Sequence, residues 1–121
     1  MDCKIVNEHD VAYRFENKSG PKYLLRGPNC DVGMVVLQPG EDFQTHFHKE
    51  VEEDFLTLEG EVEIYINEQT VHVLKPGDII QVLPPNTHYL VNKGSVPWKA
   101  VFIKSPYDPK DKVDVSWTPE S

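Results

Sequence analysis

Short apolar runs alternate with turn-forming segments along most of the chain. The runs are rich in β-branched and aromatic residues and read YLL, VGMVVL, FLTL, VEIYI, VHVL, IIQVL, HYLV and KAVFI. Between them lie segments such as GPN, QPG, KPG, PPN and NKGS, whose residue types favour turns. No stretch of a dozen residues keeps an apolar period of about 3.6, so a long helix is not expected. The pattern predicts about eight to ten strands in an all-β sandwich or barrel.

The pattern also predicts a hairpin and a C-terminal arm. In EVEIYINEQTVHVL, the alternating Val and Ile residues of the first half share one face, and the chain reverses near Asn67 and Glu68. After Lys104 the sequence is SPYDPKDKVDVSWTPES, whose three prolines and few apolar residues predict an irregular arm rather than another barrel strand. Trp117 would anchor this arm to the barrel or to a partner subunit, and a frayed terminus is the alternative.

The composition limits the classes to which the protein can belong. Its 121 residues match the usual size of one domain, which can bury a sufficient core without disulfides or a structural metal. The chain has 20 acidic residues against 12 Lys and Arg, and a net charge of -8 opposes binding to nucleic acid or to an anionic membrane. The polar start MDCKIVNEHD lacks a secretory apolar region, and no apolar run is long enough to span a bilayer. With Cys3 and Cys30 read as reduced thiols, the sequence predicts a cytoplasmic protein.

The stretch QTHFHKEVEEDFLTLEG, residues 44–60, carries the most distinctive chemistry. His46 and His48 alternate in an extended segment, so both imidazoles point to the same face. Four acids follow within a few residues: Glu50, Glu52, Glu53 and Asp54. Taken by itself, the stretch is either a solvated polar edge or a large part of a metal site.

The spacings in this region form a known motif. Five residues separate Gly40 from His46, one separates His46 from His48, four separate His48 from Glu53, and six separate Glu53 from Gly60. This arrangement matches G-x5-H-x-H-x(3,4)-E-x6-G at every fixed position. Here the sequence resembles the cupin superfamily.

A second motif lies in PGDIIQVLPPNTHYLVN, at residues 76–92. Gly77, His88 and Asn92 match the second cupin motif, G-x5-P-x-G-x2-H-x3-N, whereas Leu83 and the following PPN replace its P-x-G. Asn86 is expected to make the turn with a positive φ in place of the missing glycine. Asn92 is expected to orient a neighbouring group rather than to touch a substrate.

The resemblance implies a fold and its limits along the chain. It indicates an antiparallel cupin-type double-stranded β-helix, which is a jelly-roll barrel, as a single domain over residues 1–121. The barrel core would run roughly over residues 20–104, with the irregular arm at 105–121.

The resemblance also implies a metal centre whose four protein ligands are His46, His48, Glu53 and His88. Three neutral imidazoles and one carboxylate suit a divalent transition metal ion (Fe, Mn, Ni, Co, Cu or Zn) better than Ca or Mg. One such ion is expected per chain. Strand parity alone leaves Glu52 and Glu53 as alternatives for the carboxylate, and the spacing to Gly60 favours Glu53.

Other residues are expected near this centre. Gln44 shares the face of the histidines, so it is a catalytic candidate beside Glu53, or else a solvent-facing residue of the barrel rim. Phe55, Thr57 and Leu90 are expected to line the same cavity. A further set would either reach the pocket or pack in the core or on the surface: Tyr23, Arg26, Met34, Tyr65, Trp98 and Phe102.

The expected function follows from the intact ligand set. It favours a metal-dependent enzyme that acts on a small oxygenated molecule, as a dioxygenase or as a sugar or sugar-acid isomerase or lyase. The alternative is a non-catalytic barrel that retains its metal and binds or senses a small ligand. The sequence assigns no basic residue to the pocket, which favours a neutral or singly charged substrate unless Arg26 or Lys104 points inward. Apolar residues on both faces of FLTL and VEIYI predict a homodimer.

Overall fold

The structure is a computed structural model that describes residues 2–120. This part of the chain contains one short 3-10 helix, Glu8–Asp10, and ten strands. The strands are β1 (Gly20–Arg26), β2 (Asp31–Leu37), β3 (Asp42–Phe47), β4 (Glu52–Glu59), β5 (Val62–Ile66), β6 (Thr70–Leu74), β7 (Ile79–Val82), β8 (His88–Val91), β9 (Trp98–Ser105) and β10 (Val113–Asp114). Within the described range, no helix is long and apolar enough to cross a membrane. The all-β prediction is confirmed.

The strands form two antiparallel sheets of five strands each. The first sheet has the order β1-β2-β9-β4-β7, and the second has the order β10-β3-β8-β5-β6. Neighbouring strands often come from distant parts of the sequence, as in β4 and β9, where Glu53 pairs with Lys104. This connectivity is typical of a jelly roll, in which two sheets pack face to face around one core.

Side-chain alternation in β4 shows which face of the first sheet points into the core. Phe55 and Thr57 are buried, and Phe55 packs in the apolar cluster between the sheets. Glu53 lies on the same face, because successive side chains of a strand point to opposite sides. Glu52 and Asp54 therefore lie on the outer face, where both are partly exposed.

The β5–β6 hairpin turns where the sequence predicts it. Ile66 pairs with Thr70, and between them Asn67 and Glu68 adopt φ angles of 53° and 64°. Tight hairpin turns favour positive φ, because turns of that hand match the twist of the paired strands. The prediction that the chain reverses near these two residues is confirmed.

Gly60, the last fixed position of the first motif, lies in the turn between β4 and β5. Its φ angle is 72°, and a Cβ atom built here would lie 2.2 Å from the carbonyl oxygen of Pro97. Glycine avoids both the backbone strain and the clash. It therefore allows this turn to pack closely against the segment that enters β9.

The C-terminal arm runs along the barrel. Its short strand β10 pairs with His46 and Phe47 at the edge of the second sheet, and the sequence pattern does not predict this strand. Beyond β10, the ring of Trp117 packs edge-to-face against Tyr65 and Tyr89, with centroid separations of 5.9 and 6.1 Å. Of the three alternatives for Trp117, the structure supports anchoring to its own barrel.

Candidate metal centre

Three strands and one loop bring four side chains of the cupin motifs together. His46 lies in β3, His48 directly follows that strand, Glu53 is in β4, and His88 begins β8. His46 and His88 are cross-strand partners in the second sheet, whereas Glu53 comes from the first sheet. All four residues are at least nine-tenths buried, and one ligand atom from each lies within 4.8 Å of the others. Glu53, rather than Glu52, thus joins the cluster.

Oε1 of Glu53 is the atom on which the three imidazoles converge. It lies 3.4 Å from Nε2 of His46, 3.2 Å from Nε2 of His48 and 2.9 Å from Nε2 of His88. Four ligand atoms therefore face one small buried volume, and they come from both sheets of the barrel.

Backbone carbonyl groups set the orientation of each imidazole. The pairs, each joining Nδ1 to a carbonyl oxygen, are His46 with Gln44 at 2.9 Å, His88 with Asn86 at 3.3 Å, and His48 with Asp111. A carbonyl can only accept, so Nδ1 donates in every pair, and in the neutral ring Nε2 then carries the lone pair. Three lone pairs and a carboxylate oxygen that converge in this way fit a cation between them. The donor set can therefore hold a transition metal ion.

Burial and hydrogen bonding set the charges in the cluster. Burial opposes ionisation of Glu53, but the three imidazoles, whose Nε2 atoms donate to this carboxylate when the rings are protonated, outweigh burial and hold the pKa of the carboxyl well below its ordinary value. Burial lowers the pKa of His46 and favours its neutral form. In His48, burial is outweighed by hydrogen bonds to Glu53 and to the carbonyl group of Asp111, which raise the pKa. A proton and a metal ion thus compete for Nε2 of His48.

A residue of the C-terminal arm holds the loop between His48 and Glu53. The carboxylate of Asp111 accepts hydrogen bonds from the three consecutive backbone N–H groups of residues 49–51, at 2.7, 2.7 and 2.9 Å. Burial opposes ionisation of Asp111, but these three bonds outweigh it and hold the pKa of the carboxyl below its ordinary value. Sequence reasoning missed Asp111 because it belongs to no motif and lies 63 residues beyond His48.

A cavity of about 450 Å³ opens beside the four clustered side chains. Part of its wall is apolar and belongs to the core: Val35, Phe43, Phe55, Leu90 and Phe102. A cavity of this size accommodates a small organic molecule.

Basic side chains also line this cavity, including those of Arg26 and Lys104. Nζ of Lys104 lies 2.7 Å from the hydroxyl oxygen of Tyr23 and 3.9 Å from Oε2 of Glu53. The preference for a neutral or singly charged substrate assumed that neither Arg26 nor Lys104 points inward, so it fails as an argument from the sequence. The assumption failed because KAVFI is apolar on both faces, so the alternation along β9 does not reveal which face is inward.

Some of the other residues expected at the cavity line it, and others lie elsewhere. Phe55 and Leu90 line it as predicted, whereas Gln44 lies at its rim and is exposed. A register shift in β3 between Phe43 and His46 interrupts the alternation that placed Gln44 beside the histidines. The cavity prediction is wrong for Thr57, which is buried in the core. Tyr23 and Phe102 also line the cavity, and the residues of that set outside its lining are Met34, Tyr65 and Trp98.

The altered loop of the second motif does not use a positive φ at Asn86. That expectation is wrong, since Asn86 is not among the described residues with positive φ. The loop instead contains a cis bond between Pro84 and Pro85. Asn86 closes it by donating to the carbonyl group of Leu83 from both its backbone N–H, at 3.1 Å, and its side-chain amide, at 2.9 Å.

Asn92, the last residue of the second motif, orients backbone groups as predicted. Its Nδ2 donates to the carbonyl oxygens of Leu37 and Val96, both at 2.9 Å, and its Oδ1 accepts from the N–H of Gly94 at 2.9 Å. The residue is fully buried, so these bonds satisfy the amide where water cannot reach it.

Comparison with known families identifies the chain. The model of the cupin domain family matches residues 33–104, which is more than half of the sequence. The chain belongs to the cupin superfamily. The matched range contains both motifs and all four clustered side chains, whereas Asp111 lies outside it.

This cupin is similar in sequence to the tetracenomycin polyketide synthase protein TcmJ from Streptomyces glaucescens. The two are 28% identical over 82 residues, which are 68% of this chain and 54% of TcmJ. The chain thus spans about half the length of the curated relative it matches.

Several solved structures share the cupin fold. A conserved protein with a double-stranded β-helix domain from Klebsiella pneumoniae has a TM-score of 0.81 at 20% identity, covering 96% of this chain and 100% of its own. KdgF from Halomonas sp. has a TM-score of 0.77 at 18% identity, covering 88% and 96%. An RmlC-like cupin from Methanocaldococcus jannaschii has a TM-score of 0.74 at 20% identity, covering 88% and 94%. This likeness confirms the double-stranded β-helix.

Proposed function

We propose that this cupin is a metal-dependent enzyme that acts on a small oxygenated organic molecule in the cavity. The ligands of one divalent transition metal ion would be His46, His48, Glu53 and His88. One observation carries the proposal: three imidazole Nε2 atoms and a carboxylate oxygen converge in a buried volume beside an open cavity. A barrel with a purely structural role has no need of this arrangement.

The chemistry of the donor set limits which metal ions suit the site. Three imidazole nitrogens and one carboxylate oxygen are borderline ligands, which suit Mn, Fe, Co, Ni, Cu or Zn rather than Ca or Mg. When bound, such an ion acidifies a water or hydroxyl group and polarises a carbonyl group, and a redox-active ion also supports dioxygen chemistry.

The protein's own residues hold this centre and exclude water from it. The carbonyl groups of Gln44, Asn86 and Asp111 fix the imidazole rings, so little reorganisation is needed when a cation binds. The core side chains Phe55 and Leu90 form an apolar wall. A low-dielectric wall strengthens the electrostatic effect of the centre on a bound substrate.

The sequence relative supports a substrate with an oxygenated carbon skeleton. TcmJ is named as a protein of a polyketide synthase, and polyketides carry carbonyl and hydroxyl groups. Dioxygenase, isomerase and lyase activities all lie within this proposal, because each acts on a carbonyl or hydroxyl group that a transition metal ion can activate.

Metal analysis tests the centre itself. We expect the wild-type protein to retain about one transition metal ion per chain after desalting, and His46→Ala and Glu53→Gln to lose it while the β-sheet circular dichroism signal remains. His72→Ala is the matched control, because His72 is an exposed histidine of β6. Full metal occupancy in both site variants would exclude the proposed ligand set.

Turnover tests distinguish an enzyme from a binding barrel. The metal-loaded wild type is incubated with candidate oxygenated acids, sugars and carbonyl compounds, with and without oxygen. Consumption of oxygen together with substrate indicates a dioxygenase, whereas anaerobic conversion indicates an isomerase or lyase. A protein that binds metal and ligand without converting any of them would be the non-catalytic alternative.

A further inference from the structure

We propose that Lys104 and Tyr23 form a carboxylate-binding subsite beside the metal centre, so that the substrate is a small 2-oxo or 2-hydroxy acid. This inference rests on the proposed function and names the substrate class of the same site.

Lys104 is a largely buried cation that faces the interior of the barrel. It lies in β9, where it pairs with Asp31 of β2 on one side and with Glu53 of β4 on the other. Only 18% of its side-chain surface is exposed. A lysine held this far from water requires polar partners, because burying an unpaired charge is costly.

The described residues supply only part of those partners. Nζ of Lys104 donates to the hydroxyl oxygen of Tyr23, and its contact with Oε2 of Glu53, at 3.9 Å, is too long for a hydrogen bond. An ammonium group has three N–H donors, so donors of Lys104 remain for a ligand in the cavity that it lines.

Tyr23 is held where its hydroxyl group can bind a ligand together with Lys104. Its ring and that of Phe102 form a T-shaped pair with a centroid separation of 5.1 Å, and the guanidinium carbon of Arg26 lies over the Tyr23 ring, 4.0 Å from its centroid. Its hydroxyl oxygen accepts the hydrogen bond from Lys104, which leaves the hydroxyl proton free to donate. Tyr23 and Lys104 therefore present two donors side by side, the arrangement that the two oxygens of a carboxylate accept.

The charge balance around the centre also calls for an anion. Arg26 forms an ion pair with Asp31, at 3.7 Å, so this pair contributes no net charge. A divalent ion and the ammonium group of Lys104 carry three positive charges, and the buried carboxylates of Glu53 and Asp111 carry two negative ones, which leaves one net positive charge. An anionic ligand reduces this charge, and Coulomb attraction is strong at such depth.

The geometry of Glu53 places that anion next to the metal ligands. Its Oε1 faces the three imidazoles and its Oε2 faces Lys104, so Lys104 lies one carboxylate group away from the point of convergence. A carboxylate held by Lys104 and Tyr23 thus brings the oxygen on its neighbouring carbon to the centre. That oxygen belongs to a carbonyl or hydroxyl group at position 2 of the acid.

The cavity wall favours an apolar body for this acid. Beyond the charged subsite, one part of the lining is aromatic and aliphatic: Val35, Phe43, Phe55, Leu90 and Phe102. Polar side chains such as Asp42, Gln44 and Asp108 lie elsewhere in the lining, and these three are exposed. The apolar side chains offer no hydrogen bonds, so a group that contacts them loses least if it is itself apolar. A short alkyl or aryl chain suits this wall.

Titration calorimetry with zinc-loaded protein tests the subsite. The probes are 2-oxobutanoate, its methyl ester, butanoate and acetate. We expect 2-oxobutanoate to bind at least tenfold more tightly than the ester, which lacks the charge, and than butanoate, which lacks the second oxygen. Lys104→Met should weaken the binding of 2-oxobutanoate at least tenfold, and Tyr23→Phe several-fold. Lys99→Met is the matched control, since Lys99 lies in the same strand and forms an ion pair with Glu8.

The outcomes separate this inference from the proposed function. Equal binding of acid and ester by a zinc-loaded protein would overturn the subsite and leave the metal centre intact. Equal binding of acetate, butanoate and 2-oxobutanoate would overturn the assignment of a 2-oxo or 2-hydroxy acid as substrate, because a simple anion site would explain that result. Failure of the wild type to take up zinc or another transition metal would overturn the proposed function instead. If Lys104→Met loses its metal, the acid-to-ester ratio of the wild type and the Tyr23→Phe variant decide the question.

Discussion

The backbone carbonyl group of Asp111 accepts a hydrogen bond from Nδ1 of His48, although 63 residues separate the two in the sequence. The carboxylate of the same residue accepts from the three backbone N–H groups at 49–51. Nε2 of His48 faces Glu53. A shift of the arm at Asp111 therefore changes where His48 presents its lone pair.

Asp111→Asn is expected to weaken metal binding by about 10- to 100-fold, the usual effect of removing a group that orients a ligand. The carboxylate accepts with both oxygens, whereas an amide must turn its NH₂ group towards a backbone N–H. Competition with a chromophoric chelator measures the affinity. Asp114→Asn, at an exposed position of β10, is the control and should bind as the wild type does. Unchanged affinity in Asp111→Asn would show that the arm does not support the centre.

Gly60→Ala is expected to destabilise the fold by roughly 3 kcal/mol or more, because positive φ and a steric clash add together. Gly40→Ala separates the two effects, since Gly40 has a φ of 87° but no neighbouring atom within 4 Å of the position that an added methyl carbon would take. That variant should lose only about 1–2 kcal/mol. Urea denaturation gives both free energies of unfolding. Equal losses would mean that the approach of Pro97 to Gly60 has no energetic importance.

Asp54→Asn should stabilise the protein at pH 8 but not at pH 4. Burial, a hydrogen bond with Glu52 and the charges of Glu52 and Glu53 raise the pKa of Asp54 from 3.8 to about 6. Ionisation is thus disfavoured in the folded state, so the wild type loses stability as the pH rises from 3.8 through 6. We expect a gain of about 1 kcal/mol for the variant at pH 8, discounted because the side chain is partly in water.

Denaturation at a series of pH values measures this effect. The difference between Asp54→Asn and the wild type should shrink as the pH falls below about 6. Glu61→Gln, at an exposed position, is the control and should show no such trend. A difference that does not depend on pH would contradict a raised pKa at Asp54.

The homodimer stays a prediction, and the outer face of the first sheet offers a way to test it. Ile79 pairs with Leu56 on this face and exposes 63% of its surface. Sedimentation velocity should show a dimer for the wild type and a shift towards the monomer for Ile79→Lys, at a cost of about 2 kcal/mol or more to association. Val73→Lys, on the other sheet, is the control. A wild type that sediments as a monomer at all concentrations would refute the prediction.

Much of the site was predictable because the two motifs are local. His46 and His48 alternate within one extended segment, so their sequence distance translates directly into side-chain direction. The turn at Asn67 and Glu68 was predictable for the same reason. Gln44 shows the limit of this reasoning, since the register shift between Phe43 and His46 interrupts the alternation on which its prediction depended. Strand parity left Glu52 and Glu53 as alternatives, and the spacing of the cupin motif favoured Glu53.

The sequence by itself determined the all-β pattern and the hairpin, because apolar alternation acts over short distances, and its resemblance to the two cupin motifs implied the residues of the convergent cluster. Only the tertiary structure decided that Asp111 supports His48 and that Lys104 faces the cavity with Tyr23. Both depend on pairing between distant strands, β10 with β3 and β9 with β4. Apolar residues on both faces of β9 leave its orientation open until neighbouring strands set it. Long-range register, which no local pattern encodes, therefore determines what surrounds the centre.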